Sequence, residues 1–389
     1  MSRVLVLCDT VGHDGGTESY LERALPELTR AGDDVAVFAR RVESADAFGV
    51  RAGAIDWARE DEPPNRRAAA AVTRVIDANA FDVVMTSNVF DTAVLEAARA
   101  LPRMVVRLHD HRAFCPNGDR RYPQFPGNCE RAMGGACVVN AATHGCVAGP
   151  RPETLRRIRD RANVRDAVKG ADAVVVSSAF MAGLARTNGV AAERIVVAPP
   201  PLARDAFADE PAARPRERRL LFAGRIVPQK GLLSLVRALA RIRRVDRPVL
   251  AIAGEPTPEY DRAVTLAADL GVVLDPLGRL DPIAMRAAID ASCAVAVPSL
   301  WAEPFGLLGI EAQARGRAAV AYAVGGVPEW IGRAGIAVAP GDERALAEAI
   351  EVVLSHYAWQ TYADAATRNA RSYHPDHHIH TLREVLCAS

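Results

Sequence analysis

Two stretches of this sequence carry residue types suited to a diphosphate and a sugar. The first, Phe222-Ala-Gly-Arg-Ile-Val-Pro-Gln-Lys-Gly231, follows an apolar run and opens a helical pattern. Gly224 lets backbone approach a ligand, Arg225 and Lys230 offer two cations, and Gly231 starts a helix whose first amides favour anions. The plainer alternative is a surface turn with solvated charges. The second stretch is Pro298-Ser-Leu-Trp-Ala-Glu-Pro-Phe-Gly-Leu-Leu-Gly-Ile-Glu311. Its strand ends at Pro298, next to Ser299, and Pro304 suits the first turn of a helix that Gly316 terminates. Amides near Phe305–Leu307 could hold a phosphate, with Gly306 allowing close approach. Glu303 precedes the helix and Glu311 lies inside it. Eight residues of helix span roughly 12 Å, about the distance from a sugar across a diphosphate to a ribose. Here the plainer alternative is that Glu303 complements the helix dipole and Glu311 is solvated.

The elements that must position these residues are legible as alternating strands and helices. Val4–Leu7 reads as a strand, followed by a glycine-rich loop at His13–Gly16 and then by Leu21, Ala24, Leu25, Leu28 and Ala31 at helical spacing, with Gly32 as the stop. Val35–Phe38, Val83–Met85, Met104–Leu108 and Ala173–Val176 continue as buried strands. Pro199–Pro201 and the charged stretch up to Arg219 break the pattern. It restarts with Leu220–Ala223, Val249–Ala253, Ala294–Val297, Ala318–Tyr322 and Ile336–Val338. This alternation predicts parallel α/β sheets, with ligands beyond the carboxyl ends of their strands. The expected organisation is an N-terminal Rossmann-like domain over 1–203, a linker over 204–218 and a second such domain over 219–372. A helix over 373–389 is expected to pack back on the first domain.

Half of the 389 residues are apolar and 24% are charged, an ordinary globular composition that at this length predicts two domains. A net charge of +1 supplies no field for nucleic acid or an anionic membrane. The apolar start stops at Asp9, too early for a signal peptide, and no run of about 18 apolar residues follows; the expected location is the cytoplasm. Only Lys169 and Lys230 among 48 basic residues are lysines, which suggests that Lys230 is needed as a compact ammonium. The arginine-rich stretch Glu153–Val168 has a thin apolar face (Leu155, Ile158, Ala162) and reads as a solvated helix rather than a membrane contact.

Taken together, the two motifs resemble the donor site of family 4 retaining glycosyltransferases of the GT-B fold, in which two Rossmann-like domains face each other across a cleft. Gly224-Arg225 with Lys230-Gly231, and Glu303-Pro-Phe-Gly-Leu with Glu311, match that family's motifs. So do Gly15-Gly16-Thr17-Glu18, Val176-Ser-Ser-Ala-Phe-Met181, Ala253-Gly254-Glu255, Gly278-Arg279 and Gly325-Gly326-Val327-Pro328-Glu329. The resemblance covers most of the chain. It departs where Pro199–Pro201 replaces a common Asn-Gly and where Pro256 replaces a common glycine.

The resemblance implies a nucleotide-diphosphate sugar as donor and a small molecule or glycan as acceptor, without a catalytic metal. Arg225 and Lys230 would bind the diphosphate and stabilise the leaving group, Glu303 would hold hydroxyls of the donor sugar, and Glu311 the ribose. Gly16, Gly224, Gly254, Arg279, Ser299, Phe305, Gly306 and Leu307 complete the expected donor contacts. His109 would reach sugar or acceptor from the other domain, with Glu18 and Asp110 on the acceptor side. A nucleotide-sugar epimerase and a non-catalytic sugar-nucleotide-binding subunit are the competing readings. The sequence argues against a nicotinamide dehydrogenase, because no Gly-x-Gly-x-x-Gly follows a strand.

Seven cysteines are present, four of them at Cys115, Cys129, Cys137 and Cys146 within a segment over 109–149 that shows little periodicity. Four thiolates, or three with His144, could bind zinc tetrahedrally and close the segment. Two disulfides and free buried thiols are the alternatives, and the spacing lacks short Cys-x-x-Cys knuckles.

Overall fold

The computed structural model describes residues 1–12, 15–44, 48–59, 62–122, 127–208 and 213–388. The chain forms two compact α/β units, Met1–Pro201 with Pro375–Ser389, and Leu202–His374.

The first unit holds seven strands: β1 (Arg3–Val11), β2 (Asp34–Val42), β3 (Arg51–Ala54), β4 (Val83–Ser87), β5 (Met104–Arg107), β6 (Ala173–Val176) and β7 (Ile195–Val197). They pair in parallel in the order β3-β2-β1-β4-β5-β6-β7. The helices are α1 (Gly16–Arg30), α2 (Arg66–Asn79), α3 (Thr92–Ala98), α4 (Gly135–His144), α5 (Arg151–Lys169) and α6 (Ala179–Thr187). Every residue of β4, β5 and β6 is buried, as expected of central strands covered on both faces. Helix α1 turns Tyr20, Leu21, Ala24, Leu25 and Leu28 into the core at helical spacing.

The second unit holds β8 (Arg219–Ala223), β9 (Val249–Ala253), β10 (Leu274–Gly278), β11 (Ala294–Val297), β12 (Ala318–Tyr322) and β13 (Gly335–Val338), in the parallel order β10-β9-β8-β11-β12-β13. Its helices are α7 (Leu232–Arg241), α8 (Pro258–Leu270), α9 (Pro282–Asp290), α10 (Leu307–Ala314), α11 (Val327–Ile331), α12 (Glu343–Val353) and α13 (His356–Ala370). Leu232, Leu235, Val236 and Leu239 bury one face of α7; truncating one of these leucines costs about 2–5 kcal/mol.

The last helix, α14 (Pro375–Leu386), belongs to the first unit. Ile379, Leu382 and Leu386 join the core cluster that includes Leu21 and Leu25. Arg383 pairs with buried Asp33 at 2.9 Å, and Arg103 donates to the Val385 carbonyl at 2.6 Å.

Three local expectations are corrected. The segment over 109–149 contains a 3-10 turn at Arg112–Phe114 and helix α4, which buries only Asn140 and so leaves no apolar stripe in the sequence. Pro304 lies outside the helix it was expected to open: Gly306 caps α10 at φ +99°, and the helix starts at Leu307. Residues 202–208 and 213–218 belong to the second unit, where Leu202 is fully buried and Asp205 pairs with Arg286 at 3.1 Å. Residues 209–212 of the expected linker, His13 and Asp14 of the glycine-rich loop, and 123–126 of the cysteine-rich segment lie outside the described residues. No helix among the described residues is long and apolar enough to cross a membrane.

Candidate functional site

Strand order reverses between β1 and β4 in one sheet and between β8 and β11 in the other. Crevices beyond the carboxyl ends of such strand pairs are where open α/β sheets bind ligands.

In the second unit the loop after β8 meets the loop after β11. A short 3-10 turn, Pro228–Lys230, leads into α7, and Leu300 N–H donates to the Gln229 carbonyl at 2.8 Å. Gly231, at φ +73°, permits this contact, because a Cβ there would lie 1.9 Å from the Pro298 carbonyl oxygen. The Lys230 ammonium thereby reaches Glu303, with Nζ 2.5 Å from Oε1. Ser299 Oγ donates to the same oxygen at 2.5 Å. The ammonium also lies 5.6 Å from the centre of the Trp301 ring. Gly325, at φ +55°, closes the far side: a Cβ there would lie 2.0 Å from the Glu303 carbonyl oxygen, which accepts the Gly326 N–H at 2.8 Å.

Glu303 is 4% exposed. Burial disfavours its charge, but the Lys230 charge, with hydrogen bonds from Lys230, Ser299 and Trp301, outweighs burial and holds the carboxyl below the ordinary glutamate range. The second unit thus presents an ionised, pre-oriented carboxylate that can accept bonds from hydroxyl groups, and a cation that can turn to a phosphate.

The other expected donor residues line the same strand ends. Gly224 N–H donates to the Ala253 carbonyl and Gly254 N–H to the Gly278 carbonyl, which stacks these loops side by side. Arg225 is exposed, and among the described residues its side chain makes no ion pair. Arg279 pairs with Glu255 at 3.2 Å on the surface. The Phe305 carbonyl accepts the Trp330 indole N–H at 2.5 Å, which fixes the chain just before Gly306 and Leu307. Glu311 is half-buried within α10.

In the first unit the loops after β1, β4 and β5 converge. Asn88, following β4, donates to Thr17 Oγ1 at the start of α1 at 2.7 Å and to Asp110 Oδ2 at 3.3 Å. Asp110 also receives Arg112. His109 Nε2 lies 2.7 Å from Ser87 Oγ. Burial, and then the Arg107, Arg112 and His378 charges, hold its pKa well below the ordinary histidine value. Glu18 lies in the first turn of α1; its pKa is raised mainly by burial, with help from Asp9. Gly16 opens α1, and a Cβ there would meet no atom within 4 Å.

Sequence reading missed Ser87 and Asn88, because the strand was taken to end at Met85; the rule that ligands sit just past strand ends at a switch point would have reached them. It also missed Asp9, which Arg40 grips with two bonds of 2.7 and 3.0 Å. The indole of Trp301 carried no motif signal.

The zinc expectation is not met. Among the described residues no group of three or more His, Cys, Asp or Glu side chains is arranged to hold a metal ion, and Cys115, Cys129, Cys137 and Cys146 are free thiols. Burial, and then the neighbouring Cys115, Cys137 and Cys129, push the Cys146 thiol up to about 11. Burial also raises Cys115, against opposing amides of Arg120, Asn117 and Gly118.

Residues 14–205 match the family described as Glycosyltransferase Family 4, and residues 217–356 match Glycosyl transferases group 1. A D-inositol 3-phosphate glycosyltransferase of Mycobacterium sp. (strain JLS) is 30% identical over 344 residues, spanning 82% of this chain and 72% of the relative. The protein of that description from Mycolicibacterium smegmatis is 31% identical over 367 residues, spanning 88% and 77%. Among solved structures, Anabaena HepE in complex with UDP and glucose superposes with a TM-score of 0.74 over the full length of both chains, at 18% identity. At that identity the likeness is one of fold.

Proposed function

The chain belongs to the family 4, group 1 glycosyltransferases, and from that premise we propose that it transfers a sugar from a nucleotide-diphosphate donor to an acceptor hydroxyl with retention of anomeric configuration. The observation that carries this reading is the Lys230–Glu303 pair at the strand-order reversal of the second unit, beside Arg225 and the N-terminus of α7. In this reading Lys230 and Arg225 hold the diphosphate and Glu303 takes hydroxyls of the donor sugar. The α10 N-terminus with Gly306 and Leu307 receives a phosphate, and Glu311 the ribose. Gly224, Gly254, Arg279, Ser299 and Phe305 shape the donor pocket. His109, Asp110 and Glu18 belong to the acceptor side.

The acceptor oxygen attacks the anomeric carbon on the face the donor phosphate leaves. The carbon–oxygen bond to phosphate breaks with its electron pair going to the phosphate oxygen, which takes the acceptor proton. Negative charge grows on the diphosphate during this step, and the Lys230 and Arg225 cations with helix amides stabilise it. A catalytic metal is not required by this arrangement. A small natural-product intermediate is the proposed acceptor class.

The test is a thermal-shift panel of nucleoside diphosphates and sugar nucleotides beginning with UDP and UDP-glucose, the ligands of the HepE structures. A ligand at 100 times its Kd stabilises by about 2.7 kcal/mol. A panel in which no nucleoside diphosphate shifts the melting point, or in which the donor is isomerised and never transferred, overturns the reading.

A further inference from the structure

A buried array of rings joins His109 to the C-terminal helix, and nothing in the transfer chemistry above uses it. His378 on α14 places Nδ1 2.8 Å from the Pro199 carbonyl. A carbonyl only accepts, so Nδ1 carries the proton and Nε2 presents its lone pair. Tyr20 Oη lies 3.0 Å from that Nε2 and must donate to it. The bond anchors the far end of a phenol ring that packs edgewise with the His109 ring, with centroids 4.9 Å apart and planes at 60°. Ser87 holds the opposite constraint on His109 at 2.7 Å.

Arg107 closes the array. Its guanidinium stands 4.5 Å from the centre of the Tyr20 ring and donates to the Ala198 carbonyl at 2.8 Å and the Val176 carbonyl at 3.4 Å. It is 1% exposed, and among the described residues no carboxylate pairs with it. A buried cation beside the buried His378 and the half-buried His109 makes a further positive charge on either ring costly. The groups facing His109 are Ser87 from β4, Arg107 from β5, Arg112 from the turn after it, Tyr20 from α1 and His378 from α14. Of these, Arg107, Arg112 and His378 add to burial in favouring a neutral ring.

We infer that His378 is a positioning residue for His109: by accepting the Tyr20 hydroxyl proton while donating to Pro199, it sets the Tyr20 ring that holds the His109 imidazole against Ser87. The C-terminal helix is then part of the site's support, although it follows the whole second unit in the chain. The catalytic consequence, though not the geometry, rests on the proposal that His109 serves the acceptor side.

Three variants test it: His378→Leu, His378→Gln and Tyr20→Phe. Leucine removes both ring bonds. Glutamine offers an amide N–H to Pro199 and a carbonyl to Tyr20. Phenylalanine deletes the hydroxyl alone. The first readout is the histidine side-chain nitrogen spectrum of labelled, ligand-free protein, with His109→Gln used to assign the His109 signals. The His109 signals should move in His378→Leu and Tyr20→Phe and return towards the wild-type position in His378→Gln. The second readout is turnover of UDP-glucose, for which kcat should fall about tenfold in the first two variants with donor KM within about twofold. Should His378→Leu not fold, as thermal melting would reveal, Tyr20→Phe and His378→Gln decide. His109 signals that stay in place in Tyr20→Phe, or that move equally in the Leu and Gln variants, overturn the inference. Moved signals with full turnover in both Tyr20→Phe and His109→Gln leave the positioning standing and overturn the acceptor-side role of His109.

Discussion

Lys230 and Glu303 are 73 positions apart, yet their charged atoms meet at 2.5 Å across the point where strand order reverses in the second sheet. In the first sheet Asn88 and Thr17 meet across the corresponding reversal at 2.7 Å. The same topology is used twice with different chemistry. A charged pair stands at one reversal, where a diphosphate is proposed to bind. At the other, Asn88 and Thr17 meet beside the Asp110–Arg112 pair, where an uncharged hydroxyl is proposed to be presented.

That contrast sets the first prediction. Glu303→Gln removes the charge but keeps the shape, and Lys230→Ala removes the cation. Each should lower kcat/KM by at least tenfold, about 1.4 kcal/mol of transition-state stabilisation. Because Lys230 is the main influence holding the Glu303 carboxyl below its ordinary range, Lys230→Ala should also raise that pKa, moving the acidic limb of the rate profile to higher pH. Wild-type kcat/KM in both variants, measured with the donor that the ligand panel selects, would remove these residues from the site.

The two glycines around this pair support a second prediction. Gly231→Ala and Gly325→Ala each force a methyl group against backbone oxygen, at a φ that L-residues rarely adopt. Each should cost about 2 kcal/mol or more. Gly16→Ala, which meets nothing within 4 Å and needs no left-handed conformation, should stay within about 0.5 kcal/mol. Urea denaturation of the three variants separates the cases, and equal midpoints would contradict the geometry.

Stability in mild acid follows from the buried histidines. Burial, then the Arg107 charge, takes His378 from its ordinary 6.5 down to about 3, against the opposing effect of its bond to the Pro199 carbonyl, and His109 is lowered as well. Below about pH 6.5 the unfolded chain binds protons that the folded chain refuses. The stabilisation is therefore complete above pH 6.5 and is lost as pH falls towards 3, by at most about 1.4 kcal/mol per pH unit for each ring. The melting temperature should fall between pH 6.5 and 5, a window above the ordinary carboxylate range, and fall less steeply in His378→Gln. Parallel slopes in the two proteins would show that His378 is not the group responsible.

The sequence made the fold class and donor motifs legible because both are local signals. Buried parallel strands such as Ala173–Val176 are continuous apolar runs, and the residues around Gly231 and Glu303 follow strand ends directly. Strands β3, β7 and β10 escaped notice. β3, β7 and β10 lie at sheet edges and are only partly buried, and β10 includes Asp275 and Pro276. Helix α10 was placed too early because the preference of Pro304 for a first turn yielded to the left-handed cap at Gly306. The Tyr20–His378 contact joins residues 358 positions apart, and no spacing rule reaches across that separation. The four crowded cysteines suggested a ligand set; Cys115, Cys129 and Cys137 do neighbour Cys146, yet among the described residues no three are arranged to hold a metal ion.

The last prediction separates leaving-group stabilisation from ordinary binding. If Arg225 acts on charge that develops as the phosphate departs, its removal should matter less when the leaving group needs less help. Arg225→Ala should therefore lose at least tenfold in kcat with the natural sugar nucleotide. The loss should shrink to within about threefold with a donor bearing an activated nitrophenyl leaving group. A raised KM for the sugar nucleotide with kcat unchanged would instead indicate that Arg225 only helps to bind the nucleotide. With the sugar nucleotide the new linkage, read by NMR coupling constants, should keep the donor's anomeric configuration, because the acceptor is proposed to enter on the face the phosphate leaves. An inverted product would require a base on the opposite face and would remove the mechanism on which the role of Arg225 depends.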